Sequence, residues 1–168
     1  MNVEYDIGVA TIQDIPQMLT LQAENQISRG GALSIEFPAV WFETVVRETP
    51  IVIARRDGQL VGYLVSSTPE ATRNYPLIQA KLRAYRVRPG TYNSGPLCID
   101  AKERGHGLAA KLFDMQGALL AGREGVAFIR RDNAASRAAH AKYGFLEVAE
   151  FSHQGVEYLV AARTAASK

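Results

Sequence analysis

The sequence predicts an α/β (α+β) fold, a mixed and mostly antiparallel sheet of six to seven strands with flanking helices. Three observations carry that expectation. In "IVIARRDGQLVGYLVSS" two β-rich runs flank Asp57-Gly58, the two-residue turn favoured in antiparallel hairpins. "FLEVAEF" and "VEYLVAA" face each other across "SHQG" as a closing antiparallel pair. Between them, "IDAKERGHGLAAKLF" passes from a short apolar segment through Gly105 and Gly107 into an apolar helix.

The remaining elements follow in order. "YDIGVAT" reads as a first strand. Thr11 and Asp14 have capping-box spacing, and Ile15, Met18, Leu19 and Ala23 then recur at helical period. "SRGGALS" is a flexible break, followed by a second helix over residues 39–47. "YPLIQAKLRAY" suggests an extra helix with Pro76 in its first turn. "TYNSGPLCI" is a strand interrupted at Gly95-Pro96, because proline donates no ladder hydrogen bond. The helix of the glycine turn runs to about Ala121, with Gly122 as its stop. "GVAFI" is a short buried strand, and "NAASRAAHAKY" is a helix ended by Gly144.

Length and composition bound the function. A chain of 168 residues predicts one domain, 1–168, long enough to bury a sizeable core. At 47% hydrophobic and 21% charged it has the balance of a soluble globular protein. A net charge of +2, with no basic run of five, predicts no nucleic-acid partner and no membrane partner. Cys98 is the only cysteine, so no intrachain disulfide forms, and a reducing, cytoplasmic setting is expected. The opening "MNVEYDIGVA" lacks a basic segment followed by an apolar run, which predicts no secretory signal. No metal site is expected.

The first turn of a helix carries unpartnered N–H groups and the positive end of the dipole. Glycines ahead of that turn let an anion approach the backbone, and Arg104 adds charge, so phosphate or pyrophosphate is the natural guest. A tight strand-to-helix connection explains Gly105 equally well. Two phosphate readings compete. "GHGLAA" fits the dinucleotide pattern G-x-G-x-x-A, with Arg130-Arg131 placed for a 2′-phosphate, which would make an NADP-binding reductase. That reading requires a parallel sheet before residue 100, where the sequence shows a hairpin.

The other reading rests on two motifs. "RGHGLA", Arg104 to Ala109, matches R-x-x-G-x-A, and "NAASRAAHAKYGF", Asn133 to Phe145, supplies an Asn, a small residue three later and a closing Gly-Phe. In this order the two resemble the motifs of the GCN5-related N-acetyltransferases, the GNAT family. The order β-α-α-β-β-(helix)-β-α-β-α-β-β resembles the same fold over nearly the whole chain.

The resemblance implies acetyl-CoA bound between two splayed parallel strands, here residues 92–99 and 126–129. The interruption at Gly95-Pro96 independently predicts free ladder groups at Leu97, Cys98 and Ile99, open to the amides of pantetheine. Pyrophosphate would sit on the amides of Gly105, His106, Gly107, Leu108, Ala109 and Ala110, beside Arg104. Cys98 takes part through its backbone, its thiol reading as a small buried hydrophobe. Asn133 matches the motif Asn that contacts the pantetheine arm, and it also reads as a helix N-cap. Ser136 holds the small position facing the cofactor. Lys142 reads as a solvated helix residue near the cofactor phosphates, and His106 as a spacer facing solvent.

His140 is the departure from the pattern. Many family members carry Tyr seven residues after this Asn, to protonate the departing thiolate. His140 could donate that proton, or hydrogen-bond the thioester, or simply be satisfied on a helix face. Tyr143, three residues on, is the other candidate acid. Glu24, Glu36, Glu103 and Glu157 lie nearest as bases, and none is singled out. The acceptor pocket implied by the resemblance comprises residues 28–37, 92–94 and 152–157, with the 69–86 insertion as a wall or lid. The expected activity is N-acetyl transfer to a primary amine, of a small molecule first and of a protein second. The chain could also bind acyl-CoA without turnover, and it could form a homodimer.

Overall fold

Apolar residues alternate with apolar residues in the central strands, which marks a sheet covered on both faces. The computed structural model describes residues 3–166. It contains β1 (Asp6–Val9), α1 (Ile15–Glu24), α2 (Ala39–Glu48), β2 (Ile51–Arg56), β3 (Gln59–Ser67), α3 (Pro76–Ala84), β4 (Tyr92–Ile99), α4 (Leu108–Leu119), β5 (Glu124–Arg130), α5 (Ala134–Lys142), β6 (Leu146–His153) and β7 (Val156–Thr164). The strands form one sheet in the order β1-β2-β3-β4-β5-β7-β6. Only the β4–β5 pair is parallel.

Ile51, Ile53, Tyr63 and Val65 point to the face covered by α1 and α2, where they meet Met18, Leu21, Phe42 and Val45. Val52, Ala54 and Leu64 point the other way, onto Leu108, Leu112 and Phe113 of α4. Burying each large apolar side chain contributes roughly 1.5–3 kcal/mol. Helix α3 packs against β5 and β6, its Leu82 over Val126, Val160 and Ala162.

The Asp57-Gly58 hairpin forms as expected, with both residues at positive φ (51° and 79°), the conformation that matches strand twist. The last hairpin turns on Gln154 and Gly155, so His153, expected within the SHQG connection, is the final residue of β6, paired with Val156. The core face of α1 also differs from the reading of its apolar period. Leu21 and Gln22 are buried with Ile15 and Met18, and Leu19 and Ala23 stand at the flank. Gln22 is inside because its amide closes the following loop, donating to the Phe37 carbonyl and accepting from the Phe37 N–H, both at 2.9 Å. Helix α4 ends at Leu119, and Gly122 donates to the Ala165 carbonyl beyond it.

The seam of the sheet lies between β4 and β5. They pair at two positions, Tyr92 with Gly125 and Asn93 with Val126, and then diverge. A Cβ at Gly125 would stand 2.5 Å from the Tyr92 ring, so only glycine admits that ring against the last paired step. Beyond it, Gly95-Pro96 shifts the β3–β4 register between Leu64 and Ser66. Leu97, Cys98 and Ile99 remain paired with Leu64, Tyr63 and Gly62 of β3. Their expected freedom from ladder pairing therefore holds only on the edge facing β5. No helix among the described residues is long and apolar enough to cross a membrane.

Candidate active site

The divergence of β4 from β5 opens a cavity of about 490 Å³. Strand β4 lines it with Asn93 to Ile99, and β5 with Ala127 to Arg130. The segment after α1 contributes Asn25, Gly30 to Ile35 and Phe37, and α5 contributes Ser136 and His140 behind its cap Asn133. Helix α3 adds Ile78 and Lys81. The 69–86 insertion is thus a wall of the cavity. Its Tyr75 belongs to the core, 4.7 Å from the Phe37 ring, and Tyr85 donates to Glu124 at 2.8 Å. The final hairpin, residues 152–157, is not in the lining.

The glycine turn follows Arg104, which lines the cavity, whereas residues 105–110 are not in the lining. Gly105 and Gly107 have φ of +81° and +78°, which L side chains rarely adopt, and a Cβ at either would point into open space. Gly107 is the N-cap of α4 and supplies no side-chain bond to the first turn. The amides ahead of α4 are therefore neither capped nor covered by side chains, as a phosphate cradle requires. His106 is exposed. Arg104 lines the cavity and donates to Asn25 Oδ1 at 3.0 Å, linking this turn to the loop after α1.

The N-terminus of α5 is closed by Asn133, whose Oδ1 accepts from the Ser136 N–H at 3.0 Å. That leaves the Asn133 Nδ2 donors free for a ligand. His140 is 9% exposed, held edge-on between Phe113 and Phe145. Its Nδ1 lies 2.8 Å from the Ser136 carbonyl oxygen, which only accepts, so Nδ1 carries the proton and Nε2 of the neutral ring is an acceptor. Burial lowers the His140 pKa, and the nearby Arg163 guanidinium lowers it further, against the Ser136 bond that raises it.

Tyr143 is not brought to the cavity. It forms the C-cap of α5 and packs on Phe113, ring centroids 5.1 Å apart, outside the lining. The Cys98 side chain turns away into the core under α1, 3.7 Å from the Leu21 carbonyl, and burial pushes its thiol up to about 12. Glu103 is buried and both its carboxylate oxygens accept from Arg56 Nη1, which holds its carboxyl below the usual range, and it also accepts from Tyr5. Glu24, Glu36 and Glu157 are exposed and outside the lining.

Besides Gln22, two more buried polar residues were not evident from the sequence. Gln116 of α4 donates to Ser66 Oγ and Ser94 Oγ, each at 3.1 Å, and accepts from Arg163 at 3.1 Å. Lys81 of α3 donates to Asn93 Oδ1 at 2.7 Å and to the Val126 carbonyl at 3.1 Å. Lys81 and Gln116 lie on helices whose polar residues otherwise read as solvated. The one available signal was a lysine four residues after Leu77 and three after Ile78, on the apolar stripe of its helix.

The sequence model described as the acetyltransferase (GNAT) family matches residues 16–145. An N-acetyltransferase from Staphylococcus aureus Mu50 superposes with a TM-score of 0.72 at 20% identity, over 96% of this chain and 99% of that one. A proposed acetyltransferase from Salmonella typhimurium, solved with its cofactor acetyl-CoA, gives 0.72 at 16% identity over 98% and 95%. A ribosomal-protein-alanine N-acetyltransferase from Brucella melitensis gives 0.65 at 21% identity over 95% and 99%. No curated protein sequence matches the chain.

Proposed function

The chain belongs to the acetyltransferase (GNAT) family, and from that premise we propose that it transfers the acetyl group of acetyl-CoA to the primary amine of a small molecule. The observation that carries this reading is the cavity between the diverging strands, which reaches from Arg104, just ahead of the uncapped start of α4, to the loop after α1. The residues present fit the cofactor. The open β4 edge at Leu97, Cys98 and Ile99 would offer backbone groups to the pantetheine amides, and Asn133 Nδ2 would donate to the same arm. The amides from Gly105 to Ala110, with the Arg104 donors not used by Asn25, would hold the pyrophosphate. When bound, acetyl-CoA supplies an acetyl thioester.

The chain's own residues do the rest. Ile35, Phe37 and Phe128 line an apolar end of the cavity that excludes water around the acceptor. Neutral His140 presents Nε2 as an acceptor for an N–H or S–H in the cavity, instead of the proton donor that the sequence motif suggested. Helix α3 and residues 30–37 wall the cavity and limit what reaches it, which supports a small amine over a protein amine. The antiparallel β1–β4 ladder lacks the parallel sheet that a dinucleotide reductase requires. The lone, buried Cys98 fits a reducing compartment, the cytoplasm.

One observation favours a second reading, an acyl-CoA-binding module without turnover: neither a protonated Nε2 nor the Tyr143 hydroxyl stands in the cavity. The test is thiol release from acetyl-CoA with phenylethylamine, L-methionine, spermidine and a lysine-bearing peptide, alongside calorimetry with acetyl-CoA and NADPH. Thiol release with a small amine is the expected result. Acetyl-CoA binding without release would favour the module, release with the peptide alone a protein acceptor. NADPH binding without acetyl-CoA binding would overturn both readings.

A further inference from the structure

Lys81 belongs to neither family motif, yet it is 2% exposed, borders the cavity, and sits where β4 and β5 part. We propose that Lys81 is the base that accepts the proton of the acceptor ammonium, a role that rests on the acetyltransfer reading above.

The hydrogen bonds argue for it. A charged amine brings three N–H donors, and a neutral one brings two and a lone pair. Nζ meets two acceptors, Asn93 Oδ1 and the Val126 carbonyl, and makes no other hydrogen bond among the described residues. The Asn93 amide cannot swing to present its donors, because Nδ2 already bonds Thr72 Oγ1 at 3.0 Å and the Thr68 carbonyl at 3.2 Å. Two fixed acceptors match a neutral amine whose lone pair is left over, on a side chain that lines the cavity. No carboxylate among the described residues pairs with it, and burial lowers its pKa to about 7.

The charged groups on the surrounding elements are engaged elsewhere. Glu124 of β5 accepts from Tyr85. Glu147 and Glu150 of β6 pair with Arg137 and Arg131. In the cavity itself, Arg104 bonds Asn25, Arg130 bonds Asp132, and His140 bonds Ser136. In the reaction, the acceptor ammonium gives one proton to Lys81 Nζ. The amine lone pair then forms the N–C bond to the acetyl carbonyl carbon, and the C–S bond breaks with its electron pair on sulfur. The second proton from the nitrogen ends on that sulfur, and Nζ returns its proton to solvent.

The test combines NMR with kinetics. In protein labelled with 13Cε-lysine, one resonance should titrate near pH 7 and be missing from Lys81→Met. Titration of Lys81 above pH 10 with the surface lysines would overturn the proposal. With the panel amine that turns over fastest, Lys81→Met should lower turnover at pH 7 roughly 100-fold, the size expected for loss of a general base. Its acetyl-CoA affinity by calorimetry should move less than threefold. The deficit should narrow toward pH 9.5, where a larger share of the free amine is already neutral, as no purely structural defect would. Unchanged turnover, an equal loss at every pH, or activity retained in Lys81→Arg, which stays charged, would each sink the idea. Lys81→Gln serves if Lys81→Met does not fold, with the same outcomes expected. Absence of acetyl-CoA binding or turnover in the unaltered protein would instead bring down the acetyltransfer reading, and this role with it.

Discussion

His140 Nδ1 lies 2.8 Å from the Ser136 carbonyl oxygen one helical turn earlier, and that contact decides which ring nitrogen bears the proton. The neutral ring can only accept at Nε2. If the neutral form is the working one, His140 contributes a rise in turnover through a midpoint below the usual histidine value, ahead of the rise near pH 7 expected from Lys81. A pH–rate profile checks this, since an acid at this position would give a falling limb above that midpoint. His140→Phe should remove that lower limb, leaving the rise near pH 7, and lower turnover at least tenfold, with acetyl-CoA affinity by calorimetry nearly unchanged.

Gly107 caps α4 at a φ of +78° with nothing near its missing Cβ. Gly107→Ala should cost about 1–2 kcal/mol in urea unfolding, the penalty of the left-handed region for an L residue. On the proposed cradle its acetyl-CoA affinity should fall further than that strain explains, because the new methyl would crowd the pyrophosphate. Equal losses in both measurements would argue against the cradle.

Gln116 joins α4 to β3, β4 and β7 through Ser66, Ser94 and Arg163. Gln116→Leu leaves those partners unsatisfied in the interior, so a loss of about 2–4 kcal/mol is expected in chemical denaturation.

The Cys98 thiol is raised to about 12 by burial and stays protonated at neutral pH. The folded protein should resist iodoacetamide at pH 8 and react once denatured. Cys98→Ala should keep most turnover, because the backbone of residue 98 is what faces the cavity.

Lys81 makes stability depend on pH in a definite direction. Its folded pKa is about 7 against 10.5 for the free side chain, so between these values the unfolded chain binds more protons and stability rises with pH. That difference corresponds to a contribution on the order of 5 kcal/mol, fully present only above the unfolded value and lost as pH falls toward 7. Relative to this, Lys81→Met should show an advantage at pH 7 that shrinks toward pH 10, by urea unfolding at each pH.

Local chemistry made most of the fold legible. Asp57-Gly58 determines its hairpin by backbone preference alone, and Gly105 and Gly107 mark their turn because only glycine takes that φ cheaply. Asn133 caps α5 with its own oxygen. What escaped was set by the meeting of distant segments. Lys81 is buried because Asn93 and the opened ladder at Val126 receive it, 12 and 45 residues away along the chain. Gln22 and Gln116 are inside for the same reason, each serving partners that no periodicity records. Tyr143 looked equivalent to His140 on a helical wheel, but the helix ends beneath it and turns its ring onto Phe113.

The two-rung seam between β4 and β5 also divides the chain in time. Every strand on one side precedes residue 100, and every strand on the other follows residue 123. During synthesis the first half-sheet can form before the second has been made, and backbone pairing contributes little to their union. Docking of the halves is left to side chains: Lys81 across the seam, Gln116 and Arg163 beneath it, and α4 packed on both. Cooperativity between the halves is thus encoded in a few buried polar groups, so variants at those positions should uncouple two melting transitions that otherwise coincide.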